Sequence, residues 1–194
     1  MRRALWLLLL IALPAAAGKT CVDCHAGAAE RSYALSKHGV IARIEAGRER
    51  RRTPDCGGCH GYEARAQAPQ HYATKTSRNE ARERASAGCG SCHAPRYVAE
   101  QLAAAQRGLA IGEMKRREAE AVVAAARKEL SGEELAPIEA LLATLRTEHL
   151  RDLRLGLAHQ SPDYQWWLGQ AALDGVLLRI KGALSEARRR DQRQ

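Results

Sequence analysis

Cys21-Val22-Asp23-Cys24-His25, Cys56-Gly57-Gly58-Cys59-His60 and Cys89-Gly90-Ser91-Cys92-His93 are three copies of one pentapeptide, C-x-x-C-H. Together they use all six cysteines of the 194-residue chain. The pattern is the attachment signature of a c-type haem. Two thiols add across the two vinyl groups, and the adjacent histidine supplies the proximal iron ligand. The expectation is three covalent haems c, held by Cys21, Cys24, Cys56, Cys59, Cys89 and Cys92, with His25, His60 and His93 on the proximal side. In such a protein the cofactor, and not the polypeptide, carries the redox chemistry. C-x-x-C also occurs in thiol oxidoreductases and zinc sites, and disulfides are a further alternative. A thioredoxin-type motif would sit in a βαβ pattern, which this sequence lacks. Zinc ribbons pair two C-x-x-C units about one metal, so three units with trailing histidines fit them poorly.

Working outward from the motifs, the N-terminus reads as an export signal over residues 1–17. Met1-Arg2-Arg3 is a basic n-region, Ala4 to Leu13 an apolar h-region broken by Pro14, and Ala15-Ala16-Ala17 an A-x-A cleavage site. The mature chain would start near Gly18. The apolar stretch is short for a membrane span, so no span is expected unless this segment is retained as an anchor. Bacterial c-type haem is attached outside the cytoplasmic membrane, so a periplasmic location follows.

The chain carries 31 Lys+Arg against 22 Asp+Glu, a formal net charge of +9. Six haem propionates would offset part of that surplus. No basic strip is interleaved with aromatics, so a nucleic-acid partner is not expected. The Arg48 to Arg52 and Arg188 to Arg190 runs read as solvated faces, with pairing to propionates or to an acidic redox partner as the alternative. With no Phe and only 4% aromatics, the chain needs haem to fill much of its N-terminal core.

The fold class is mainly α. Residues 18–97 read as a three-haem cytochrome c module with little regular structure, its motifs opening at nearly even spacing. Residues 98–194 read as a bundle of three long helices. Tyr97 to Leu130 has few breakers. Ser131 and Glu134 form a capping box for a second helix, whose stripe is Ile138, Leu141, Leu142, Leu145, Leu150, Leu153 and Leu157. Ser161 as N-cap and Pro162 at the first position start a third, running through Trp166, Leu168, Leu173, Val176, Leu177 and Ile180. Short connections imply an antiparallel arrangement.

Four of the seven histidines lie outside the motifs: His38, His71, His149 and His159. Each six-coordinate bis-histidine haem needs one more. His38, in Ser36-Lys37-His38-Gly39, has a glycine that would let a macrocycle approach the backbone. His71 lies between the second and third motifs. His159 precedes a helix start and so sits in a turn, whereas His149 falls in mid-helix. The candidate distal ligands are therefore His38, His71 and His159, with His149 as the alternative to His159.

The run of C-x-x-C-H, S-x-H-G, C-x-x-C-H, a spaced histidine and Ser77-Arg78 resembles the later haem region of the hydroxylamine oxidoreductase-like multihaem cytochromes. Cys92-His93-Ala94-Pro95-Arg96-Tyr97 followed by long helices is similar to that family's last haem and helical tail. His159-Gln160-Ser161-Pro162-Asp163-Tyr164-Gln165-Trp166-Trp167-Leu168-Gly169 resembles its H-x-S-P-D-x-x-W-W-x-G segment, the most specific part of the likeness. The family enzymes carry more haems than three motifs can hold, one of them catalytic with an open site. The upstream region that would hold most of those haems is missing from this sequence. The resemblance also implies a tyrosine that cross-links to a neighbouring subunit's catalytic haem in a trimer, with Tyr164 the nearest by context.

The leading expectation is a periplasmic triheme electron carrier, because bis-histidine ligation leaves no open iron site and so argues against catalysis; whether the chain is an enzyme stays open. Its partners would be redox proteins, with a homo-oligomer or a larger multihaem complex left open. The alternative is an enzyme or enzyme subunit acting on hydroxylamine, nitrite or a similar small nitrogen species. A third reading is a module that docks to a larger multihaem partner.

Overall fold

The structure is a computed structural model and describes residues 21–49, 52–60, 80, 83 and 86–193; the side chains of Cys24 and Asp191 are not described. The expected signal segment, His71 and Ser77-Arg78 lie outside the described residues. The protein is mainly α, and among the described residues there is no strand. No described helix is long and apolar enough to cross a membrane.

Short helices come first: α1 (Cys21–His25), α2 (Ala28–Ala34), α3 (Lys37–Ile44) and α4 (Cys56–His60). Among the described residues this stretch holds more regular structure than its sequence suggests, and side-chain caps start two of its helices. Ser36 caps α3, its hydroxyl accepting from the Gly39 amide at 3.0 Å. Asp55 does the same for α4, accepting from the Gly58 amide at 2.8 Å.

The long helices follow. α5 (Pro95–Glu129) spans 35 residues, about 52 Å at the α-helical rise. α6 (Gly132–Thr144), a π-helical stretch at Leu145–His149 and α7 (Leu150–Ala158) form one continuous second helix. α8 (Pro162–Tyr164), a second π-helical stretch at Gln165–Gln170 and α9 (Ala171–Asp191) form the third. Glu134 reaches back to Ser131, its carboxylate accepting from the Ser131 amide at 3.4 Å and hydroxyl at 3.1 Å. Glu134→Ala is expected to cost about 1 kcal/mol. A thermal melt should then fall by roughly 2–4 °C, and an unchanged melt would show that the reach-back contributes nothing.

Ion pairs record the register. Glu113 meets Arg154, Glu120 meets Arg146, and Arg127 meets Glu139 at 2.9 Å, so the second helix runs antiparallel to α5. Lys115 meets Asp174 at 2.8 Å, Glu118 meets Lys181, and Glu129 meets Arg188 at 2.7 Å, so the third runs parallel to α5. Such exposed pairs contribute about 0–1 kcal/mol each; they mark the alignment that the core enforces. That core joins Ala119, Val123 and Ala126 to Ile138, Leu142, Leu145, Leu150 and Leu153, and to Leu173, Val176, Leu177, Ile180 and Leu184.

The third stripe departs from its expected reading at two places. Trp166 is 54% and Leu168 40% exposed. A π turn takes more residues than an α turn, so Gln165–Gln170 rotates these side chains off the core face, and Tyr164 and Gly169 are buried instead. Ser161 precedes Pro162 as expected, but its hydroxyl makes no capping bond and is buried without a hydrogen-bond partner.

Candidate functional site

A C-x-x-C-H sequence wound into one helical turn puts positions one, four and five on the same face. The structure winds the motifs in this way. α1 and α4 are single turns, and in the third motif the His93 amide donates to the Cys89 carbonyl at 2.9 Å. Such a turn offers its described thiols and its imidazole to one side.

Further contacts bring the turns together. Burial pushes the Cys56 thiol up, and the neighbouring Cys21 adds to the effect. Burial pushes Cys59 up as well, with Cys89 as the next cause. A Cβ on Gly88 would lie 3.2 Å from the Gly58 carbonyl oxygen. The α4 turn therefore lies beside both the first and the third motif. Cys21, Cys56, Cys59, Cys89 and Cys92 are all free thiols.

The approach to α4 is fixed by two anchors. Glu45 is a buried carboxylate that accepts from the Arg52 amide at 2.9 Å and from Arg52 Nε at 2.9 Å. The amide bond from Arg52 holds its carboxyl below the usual range, aided by the guanidinium. The Tyr33 hydroxyl donates to the Pro54 carbonyl at 2.9 Å, just ahead of Asp55 and α4. Arg52 and Arg188 stand exposed as solvated faces, each with an ion pair, Arg52 to Glu45 and Arg188 to Glu129.

The histidines form pairs. The His60 and His159 ring centroids are 6.4 Å apart with planes at 80°. Those of His38 and His93 are 5.9 Å apart at 42°. An imidazole nitrogen sits about 2.0–2.1 Å from a bound metal, so two imidazoles in line across one ion have ring centres about 6.3 Å apart. The His60–His159 pair lies close to that spacing, and His38–His93 falls about 0.4 Å short of it. Among the described residues no three His, Cys, Asp or Glu side chains gather about one point, as a bare zinc site would need.

A scan against protein-family models found no match to this chain, and a search of curated proteins found none. What the site can do follows from its own residues.

His159 is the C-cap residue of α7, and Gln160 behind it takes φ 52°, the left-handed turn that ends such helices. The sequence reading had placed it in a turn. Its Nδ1 is hydrogen-bonded to the Ser32 hydroxyl, and the Tyr33 ring stands edge-on at 6.2 Å. Burial, and then the proximity of His60, push its pKa down to about 4. It is therefore neutral near pH 7, the form that ligates a metal. His38 on α3 is also lowered, by burial and then by His93. Tyr97, one turn beyond His93, tilts against that ring at 5.1 Å. His149 ends the first π-helical stretch, which packs on α6, α7 and α9. His25 stands exposed at the end of α1.

Gly39 also has a packing reason: a Cβ there would stand 2.0 Å from the Tyr33 carbonyl oxygen, so glycine lets the α2–α3 corner close. Tyr164 is buried, and its hydroxyl donates to Asp152 at 3.2 Å. Burial first and Asp152 second raise its pKa, so it stays a phenol locked between its own helices.

Sequence reasoning missed Ser32 and Tyr33. A serine and a tyrosine in a short helix carry no motif; only the fold of α2 onto α7 shows what they touch.

Proposed function

We propose that the chain is an exported, periplasmic triheme c-type cytochrome that carries electrons through bis-histidine haems. The observation that supports this reading is the pairing of His60 with His159 and of His38 with His93, the first close to the spacing of two imidazoles on one metal and the second somewhat shorter. Such pairs would hold the iron of a haem from two imidazoles. The thiols of each turn would hold that ring through thioether bonds: Cys21 with Cys24, Cys56 with Cys59, and Cys89 with Cys92. His25 would be the proximal ligand of the third iron, with His71 as its candidate partner. Bound haem would supply one-electron exchange between ferric and ferrous iron. The residues themselves fix orientation and exclude exogenous ligands, since an imidazole on each side closes an iron to substrate. The neighbouring α1, α4 and third-motif turns would keep the three sites close enough for electrons to pass among them.

The likeness to hydroxylamine oxidoreductase-like cytochromes belongs to the same proposal, as ancestry and not as activity. Redox proteins are the partners it implies.

The test is a pyridine haemochrome assay together with electron paramagnetic resonance of the exported protein. Three haems per chain and only low-spin signals, unmoved by hydroxylamine or cyanide, are expected. Imidazole planes near perpendicular leave the iron dxz and dyz orbitals almost degenerate, so the His60–His159 site should give one highly anisotropic low-spin signal. A high-spin signal that shifts with hydroxylamine would instead support the enzyme reading, and fewer than three haems would sink the proposal.

A further inference from the structure

We infer that Ser32 is a positioning residue for His159: its hydroxyl selects the tautomer and holds the ring plane that faces His60. The inference rests on the haem reading of that pair.

Ser32 lies on α2 and is fully buried. Its hydroxyl donates to the Ala29 carbonyl at 3.0 Å. A serine has one hydroxyl proton; with that proton on the Ala29 carbonyl, its oxygen is left to accept from His159 Nδ1, the arrangement that binding through Nε2 would require. A neutral imidazole carries a single N–H, so Nε2 is left with a bare lone pair. That is the tautomer needed for Nε2 to bind a metal, and metal-bound histidines usually donate their other N–H in this way. A free imidazole side chain in water favours the opposite tautomer, so the selection has work to do.

The same helix holds both partners. Ser32 takes His159 from the α7 end, while the adjacent Tyr33 stands edge-on to His159 and donates to Pro54, at the root of the turn bearing His60. α2 is thus a bracket for the His60–His159 pair, and the 80° angle between the rings is the geometry it maintains. A donated N–H also makes the imidazole a stronger electron donor, which favours ferric iron.

Ser32→Ala removes one atom from a buried site and should fold. Expected are wild-type haem content and melting, with two haems unaltered. The third loses its highly anisotropic signal as its ring is freed to turn, and its midpoint potential rises. A purely structural role for Ser32 would move neither signal nor potential at one haem alone. If wild type shows the three low-spin haems and Ser32→Ala leaves every signal and potential in place, the positioning role is wrong and the electron-carrier reading stands. If wild type shows no bis-histidine haem, both fall together.

Discussion

His159→Ala is expected to convert one haem of three from low spin to high spin, while His149→Ala leaves all three as they were. The histidine at 159 lies 6.4 Å from His60 between ring centres. On the proposed haem reading, removing it would leave that iron five-coordinate, and a five-coordinate ferric haem is high spin. The vacated face then admits small ligands, so cyanide should shift one third of the haem absorbance in the variant and none in wild type. The effect is large because it changes coordination number and not merely potential. His149 ends a π-helical stretch packed on α6, α7 and α9, so its loss should touch only the bundle. Should His149→Ala produce the high-spin signal and His159→Ala not, the assigned pairing is wrong. A high-spin signal from neither would remove both from the axial set.

The difference between these two histidines was already legible in the chain. His159 stands before Ser161-Pro162, where a helix must restart, and a turn residue is free to reach across to another element. The three motif turns and the three long helices were legible for similar reasons. Cysteine spacing, a capping box and a leucine stripe are all local signals. What was not legible depends on contacts distant in sequence. The π-helical stretch at Gln165–Gln170 is invisible to a count based on 3.6 residues per turn, so Trp166 and Leu168 were assigned to a core they do not join. That Gly39 must clear the neighbouring Tyr33 carbonyl shows only in the folded chain. So does the hold of Asp152, on the preceding helix, on the Tyr164 hydroxyl. Ser32 carries no pattern at all; its role exists only because α2 lies against α7.

Gly156→Val should weaken both the bundle and the His60–His159 site. A Cβ at Gly156 would stand 2.6 Å from both the Cα and the amide nitrogen of Gln165. These are backbone atoms, so no rotamer change relieves the contact. The crossing is tight from the other side too, since a Cβ on Gly169 would come within 2.8 Å of Leu153 Cα. To reach ordinary carbon contact at about 3.5–4.0 Å, the second and third helices must part by about 1 Å. Overpacking of this kind costs about 1–3 kcal/mol and occasionally more, and a clash with backbone belongs at the upper end. The melting temperature should therefore fall by roughly 6–12 °C. Gly182 in α9 offers the contrast, because a Cβ there meets nothing within 4 Å. Gly182→Ala should raise stability by about 1 kcal/mol through helix propensity alone. The consequence for the site comes from chain order. Gly156 is three residues ahead of His159, and the Ser161 amide closes the turn on the Gly156 carbonyl at 2.8 Å. Opening the crossing moves that turn, and with it the imidazole that faces His60. On heating Gly156→Val, a low-spin to high-spin change at one haem should precede the loss of helical circular dichroism. If the two transitions coincide with each other and with those of wild type, the helix crossing does not position His159.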